Sequence, residues 1–155
     1  MPPIHVWGPP IWNLFHTLAE KIHEDKFEIL GEKLLFFIKR ISTNLPCPSC
    51  SQHAAKFFTR APPNAFSNKK AFKESLYMLH NVVNRRRKVP LHDMDVLEQY
   101  KHRNIIGAYN KFIAVYNTKG NMKLFTDTFQ RHMIVRDFQK WIRANLLAFK
   151  YLLNN

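Results

Sequence analysis

Prolines at 2–3, 9–10, 46, 48, 62–63 and 90 punctuate this chain, and between them apolar residues recur at steps of three and four. That combination restricts the fold to helices joined by proline-marked turns. After Gly8-Pro9-Pro10, with proline suited to an opening turn, Trp12, Phe15, Ala19 and Ile22 share one face. A second helix from about Phe27 to Thr43 carries Leu30, Leu34, Ile38 and Ile41, Leu45 continues the series, and Pro46 ends it. A third begins near Pro48, holds Ala54, Phe57 and Phe58, and stops at Ala61-Pro62-Pro63. Ser67 or Asn68 can cap a fourth, with the stripe Phe72, Leu76, Leu79 and Val83. A shorter helix fits Met94–His102, and no segment alternates strictly enough for a strand. The expectation is an all-α fold: a four-helix bundle with a short fifth helix.

Beyond Asn104 the pattern changes. Ile105–Tyr116 fits helix or strand, and Asn117-Thr118-Lys119-Gly120-Asn121 reads as a turn. Phe138–Leu153 reads as an amphipathic helix, apolar at Phe138, Ile142, Leu146, Leu147 and Phe149, basic at Arg136, Lys140, Arg143 and Lys150. Such a face must be buried on the bundle, on a second subunit or on another protein. We therefore divide the chain into a unit of residues 1–104 and a mostly helical C-terminal extension, 105–155, docked or partner-binding.

A chain of 155 residues is long enough for one domain with a core, and 46% apolar residues with 14% aromatic argue against disorder. The net charge of +13 is spread, +7 over residues 1–104 and +6 over 105–155, and favours an anionic partner: nucleic acid, an acidic protein or a phosphorylated cofactor. No charged-then-apolar leader precedes the first helix, and no stretch approaches the roughly 18 apolar residues of a membrane span. A soluble protein without a cleaved signal is expected. Two cysteines spaced C-x-x-C in such a protein point to metal or redox chemistry more than to a structural staple.

Cys47-Pro48-Ser49-Cys50 follows a proline-terminated helix and opens the next. Unpaired N–H groups at a helix N-terminus lower a thiol pKa, and two intervening residues let the sulfurs close a small, exchangeable ring. The same pair could be half a zinc site, with His53 and His80 completing a Cys2His2 set, or two buried thiols. No H-x3–5-H pair accompanies it, however, and the βαβ pattern of a thioredoxin-like domain is missing. A second constellation is Tyr77, His80, Asn81 and Asn84, which form one polar stripe on the fourth helix; two asparagines inside a helix are locally costly. Solvated polar residues explain any one of them; imidazole and amides aimed at a planar heterocycle explain the set. The third runs Trp7-Gly8-Pro9-Pro10-Ile11-Trp12-Asn13-Leu14-Phe15-His16, where Trp12 and His16 stand one turn apart and Gly8 lets backbone approach a ligand closely. A core tryptophan and a surface histidine are the plainer reading of that pair.

Taken in order, Trp-Gly-x-x-x-Trp-x-x-x-His, Pro-Cys-Pro-x-Cys-x-x-His and His-Asn-x-Val-Asn resemble the Erv/ALR sulfhydryl oxidases over about residues 5–102, most of all the short members encoded by large cytoplasmic DNA viruses. The resemblance implies a helical bundle that holds FAD, usually as a homodimer. It makes Cys47 and Cys50 the catalytic pair, with Cys50 the sulfur beside the flavin and Cys47 the one attacked by a substrate thiol. It puts Gly8, Trp12, His16, Cys50, His53, His80, Asn81, Val83 and Asn84 around the cofactor, and Tyr100 where the family often has tryptophan. It implies electron flow from protein dithiols through the disulfide and FAD to O2, giving H2O2. A viral member would act in the host cytoplasm at virus assembly sites, and in the virion.

There are departures. The lysine that commonly follows the last asparagine by five residues is Val89 here, with Lys88 one earlier. Arg85, Arg86, Arg87 and Lys88 all offer charge for a pyrophosphate, Arg87 and Lys88 are counted among the cofactor-binding residues, and spacing does not say which of the four meets the pyrophosphate. No cysteine remains for a shuttle disulfide, so a separate thioredoxin-like or C-x-x-C protein is the expected electron donor, with O2 the acceptor. A basic module that binds phosphates through Arg85–Lys88 is the rival reading; nucleic acid is otherwise not an expected partner, and no metal is.

Overall fold

The computed structural model describes residues 3–116 and 125–149. Six α-helices make up most of it: α1 (Ile4–Lys21), α2 (Glu24–Ser42), α3 (Pro48–Arg60), α4 (Lys69–Arg87), α5 (Ile105–Tyr116) and α6 (Phe125–Ala144). A 3-10 helix, Met94–His102, lies between α4 and α5, and a short 3-10 turn, Leu146–Ala148, follows α6. The fold is all-α; among the described residues the one β feature is an isolated bridge between Ile22 and Phe149.

Helix α1 starts at Ile4, ahead of the proline pair expected to open it. Pro9 and Pro10 therefore sit inside the helix and leave the carbonyls of His5 and Val6 without their usual donors. Both residues are exposed, so water can satisfy those carbonyls, and the early start brings Trp7 and Ile11 into the core. Helix α2 stops at Ser42, so Leu45 lies beyond it: the Thr43 hydroxyl donates to the carbonyl of Lys39 and the Asn44 amide to that of Arg40, closing the C-terminus. Cys47 caps α3, with Pro48 in the first turn, and Asn68 caps α4 by accepting the Ala71 N–H at 2.8 Å. Residues 105–116 are helical, with Ile105, Ala108, Phe112 and Tyr116 buried at steps of three and four.

The C-terminal helix differs from expectation at both ends. It begins at Phe125, because Ile134 and Val135 extend the buried stripe of Phe138 and Ile142, and it ends at Ala144, where the Asn145 amide turns back onto the carbonyl of Trp141. Leu147, expected on the apolar face, is exposed, whereas Phe149 is buried. The turn at 117–121 and residues 150–153 lie outside the described residues.

One core joins α1, α2, α4, α5 and α6, with Cys50 and Phe58 of α3 packed against it. Leu14, Phe15 and Leu18 of α1, Leu34, Phe37 and Ile41 of α2, Phe72 and Leu76 of α4, Phe112 of α5 and Phe138 of α6 belong to a single buried cluster. Burying each such side chain contributes roughly 1.5–3 kcal/mol. Helix α1 is central, packing against α4, α5 and the 3-10 helix, and Glu20 pairs with Lys73 across α1 and α4. The Tyr116 hydroxyl at the end of α5 is shared between the carbonyls of Asn44 (3.0 Å) and Ile41 (3.3 Å) where α2 ends; that of Ile41 also accepts the Asn44 N–H. No helix among the described residues is long and apolar enough to cross a membrane.

Candidate active site

Helices α1, α3 and α4 and the 3-10 helix, with Ser42 at the end of α2 and the loop residues Leu45 and His92, line a cavity of about 510 Å³. Its inner wall is aromatic. Trp12 of α1 lies parallel to His80 of α4, with ring centroids 4.0 Å apart and planes 7° from parallel. His16, one turn after Trp12, stacks on Tyr100 at 4.8 Å. The two histidines meet edge to edge, His16 Nε2 lying 3.0 Å from His80 Nδ1. The i, i+4 spacing on α1 and the packing of α1 against α4 make this arrangement.

One of these imidazoles donates to the other, which requires the acceptor to be neutral. Burial does more: it lowers the His16 pKa to about 3, helped by His80 and His92, and that of His80 to about 4, helped by His92 and Arg87. Both rings are therefore uncharged near neutral pH. The other His16 nitrogen, Nδ1, is buried without a hydrogen-bond partner. Burial raises the Tyr100 pKa, and His53 is held below the usual histidine value by lost solvent, then by Arg86 and Lys56.

Cys47 and Cys50 form a disulfide at the start of α3. Cys50 lines the cavity and Cys47 does not. Cys47 Sγ, the cap of α3, accepts the Cys50 N–H at 3.3 Å. Among the described residues no group of three or more His, Cys, Asp and Glu side chains is arranged to hold a metal ion.

Of the residues singled out in the sequence, Gly8, Trp12, Cys50, His53, His80, Val83, Asn84, Arg87 and Tyr100 line this one cavity. His16 stands behind the lining, 3% exposed. Asn81 points elsewhere: its amide donates to the carbonyl of His92 and accepts the N–H of His92, both at 2.9 Å, while the Tyr77 hydroxyl donates to the same carbonyl at 2.7 Å. Lys88 ends α4 in the left-handed conformation (φ 58°) and is not part of the lining.

Sequence reasoning missed His92 and Arg86, which also line the cavity. The His92 ring meets His80 at 5.0 Å in a T-shaped contact. It sits in a loop, where helical spacing carries no signal. Arg86 was one of four adjacent cations that spacing alone could not separate.

Comparison with known proteins agrees with this arrangement. The family model for the Erv1 / Alr family matches residues 9–105, which hold α3, α4, most of α1 and the 3-10 helix. A protein of Invertebrate iridescent virus 6, named "Putative FAD-linked sulfhydryl oxidase 347L", is 32% identical over 93 residues, covering 56% of this chain and 84% of that protein. The FAD-linked sulfhydryl oxidases of two African swine fever virus isolates, Pig/Kenya/KEN-50/1950 and Tick/Malawi/Lil 20-1/1983, are each 31% identical over 85 residues, covering 52% of this chain and 66% of theirs. No solved structure matches the chain. With the disulfide, the histidine pair and the asparagine of α4 all inside the matched segment, this chain belongs to the Erv1/Alr family.

Proposed function

We propose that this chain is a FAD-dependent thiol oxidase that forms disulfides in protein dithiols, with Cys47–Cys50 as the relay between substrate and cofactor. The observation that carries this reading is that the disulfide spans a boundary: Cys50 lines the aromatic cavity and Cys47 stands outside the lining. The donor set suits FAD. Trp12 and His80 offer flat surfaces for stacking, and Asn84, 4% exposed, brings an amide that can donate and accept. Arg86 and Arg87 bring charge for a pyrophosphate. Gly8 leaves room, since a Cβ there would meet only Ile4, at 3.5 Å.

Bound FAD would supply the two-electron chemistry between the reduced cysteine pair and O2, with H2O2 as the product. The chain's own part is thiol exchange. A substrate thiolate attacks Cys47 Sγ, and Cys50 leaves as a thiolate on the cavity side. The second substrate thiolate then attacks the substrate sulfur of the mixed disulfide, and Cys47 leaves. The substrate has become a disulfide and the enzyme cysteines hold both electrons. The N-terminus of α3 stabilises each thiolate as it forms.

The electron donor in this reading is a thioredoxin-like or other C-x-x-C protein, the enzyme is a homodimer, and residues 105–155 are a C-terminal extension, docked or partner-binding. The viral origin of the relatives fits action at virus assembly sites in a host cytoplasm. The test is an absorption spectrum of the purified protein and oxygen consumption with dithiothreitol. A flavin spectrum is expected, with activity lost in both Cys47→Ser and Cys50→Ser, and a long-wavelength band in Cys47→Ser alone. A colourless, inactive protein would overturn the reading; a band in Cys50→Ser instead would reverse the two sulfur roles.

A further inference from the structure

The second exchange depends on how well Cys47 leaves, and the surroundings of its sulfur bear on that. Two donors converge there: the Cys50 N–H at 3.3 Å and the Ser49 hydroxyl, whose Oγ is also 3.3 Å from Cys47 Sγ. Ser49 and Cys47 are both reachable from solvent, as an incoming thiol requires. The backbone of Cys47 is fixed independently of the sulfur–sulfur bond. Its carbonyl accepts the Ser51 N–H at 3.0 Å and the Ser51 hydroxyl at 3.2 Å. The same hydroxyl accepts the Leu45 N–H at 2.8 Å, which pins the approach to Cys47 onto the first turn of α3. The loop therefore keeps its shape when the disulfide opens, and Cys47 Sγ stays within reach of Ser49.

The geometry points to Ser49 as a catalytic residue of thiol exchange, its hydroxyl hydrogen-bonded to Cys47 Sγ as that sulfur departs as a thiolate. In the disulfide the Ser49 hydroxyl is free to donate or accept, because neutral sulfur attracts it weakly. When the second substrate thiolate attacks the substrate sulfur of the mixed disulfide, the bond between that sulfur and Cys47 breaks and its electron pair goes to Cys47 Sγ. The new anion then receives the Ser49 O–H and the Cys50 N–H together. A hydrogen bond to a charged acceptor is stronger than one to a neutral acceptor, so Ser49 favours the departed state over the bound one. A lower leaving-group pKa speeds exchange. Ser49 lines the cavity beside Cys50, but its hydroxyl is hydrogen-bonded to Cys47 Sγ, the outer sulfur, and the role is assigned there.

The inference rests on the thiol-oxidase reading for the order of the exchanges, but its test needs neither flavin nor oxygen. Full-length Cys50→Ser protein retains Cys47 as its single thiol, and the pH dependence of its alkylation by iodoacetamide gives the Cys47 pKa. Adding Ser49→Ala should raise that pKa by about one unit, the loss of one charge-assisted hydrogen bond near the surface. Loading Cys47 with glutathione and following its release by dithiothreitol, by mass, reads the leaving step. With a leaving-group dependence of about 0.4–0.5, one pKa unit slows release about threefold. Ser49→Thr, which keeps the hydroxyl, should restore both values. An unchanged pKa and release rate in Ser49→Ala would overturn the assignment, as would a threonine variant that behaves like alanine. A protein that shows the Ser49 effect but binds no flavin and consumes no oxygen would refute the oxidase reading alone.

Discussion

Lowering the pH from 7.5 to 5.0 should destabilise this protein through its histidine pair, His16 and His80. The folded-state pKa of His16 is about 3, against about 6.5 in an unfolded chain. Between those values the unfolded chain binds a proton that the folded protein refuses. The stabilisation is therefore complete above about pH 6.5 and is lost progressively as pH falls towards 3. At pH 5.0 the loss from His16 is about 2 kcal/mol, from 1.5 pH units at about 1.36 kcal/mol each. His80, with its pKa near 4, loses a comparable amount at pH 5.0 by the same arithmetic, discounted for its partial exposure. Urea denaturation at the two pH values measures this. With a slope of about 1–3 kcal/mol per molar urea, the His16 share alone should lower the midpoint by about 1 M. The variant His16→Gln starts less stable at pH 7.5 but should show a clearly smaller fall, since every other histidine is common to both proteins. An equal fall in wild type and His16→Gln would refute the claim that this buried imidazole is uncharged.

Gly8→Ala should raise the melting temperature of the flavin-free protein, because alanine is favoured over glycine by about 0.5–1 kcal/mol inside a helix and its Cβ makes only ordinary contact with Ile4. Flavin retention should fall, since that Cβ projects at the cavity wall; unchanged flavin content would remove Gly8 from the site. Asn81→Ala should free the backbone of residue 92, and amide hydrogen exchange at His92 should accelerate while the core amides of α4 keep their protection. Tyr116→Phe takes its donor from the Asn44 carbonyl, while that of Ile41 keeps the Asn44 N–H, and should cost about 1 kcal/mol in urea denaturation. Phe138→Ala, at a fully buried ring packed on Phe37 and Phe112, should cost about 3–5 kcal/mol.

The stripes of α2, α3 and α4 were legible because their apolar residues repeat at helical spacing and turn chemistry marks their starts: Pro48 opens α3 and Asn68 caps α4. The start of α1 was not, because local rules place proline at a helix opening, whereas burial of Trp7 and Ile11 draws the helix five residues past Pro9 towards the N-terminus. Spacing on α4 put His80, Asn81 and Asn84 in one stripe, and the structure splits it. His80 and Asn84 face the cavity, while Asn81 and Tyr77 hold the backbone of His92. That division depends on a loop eleven residues away from Asn81, which no periodicity within α4 encodes. The Trp12–His80 stack joins α1 to α4, and only the packing of those helices brings the rings together.

Residues 105–149 carry none of the motifs that mark the family, yet they bear on the site from behind. Helix α1 presents Trp12 to the cavity on one side, and on the other it buries Leu14, Leu18 and Ile22 in the core to which Ile105, Phe112 and Phe149 belong. A helix buried on several sides cannot shift or turn without opening one of them, so the position of Trp12 over His80 is held by α5 as well as by α4. A second link runs to the disulfide. Tyr116 fixes the carbonyls of Ile41 and Asn44, Asn44 leads into Leu45, and Leu45 is tied to Ser51 in the first turn of α3. Arg40 and Asp137 join α2 to α6 close to the same end. The C-terminal helices thus brace both the aromatic wall and the loop that presents Cys47, which is a physical reason for a small redox enzyme to retain a segment none of whose described residues lines its cavity.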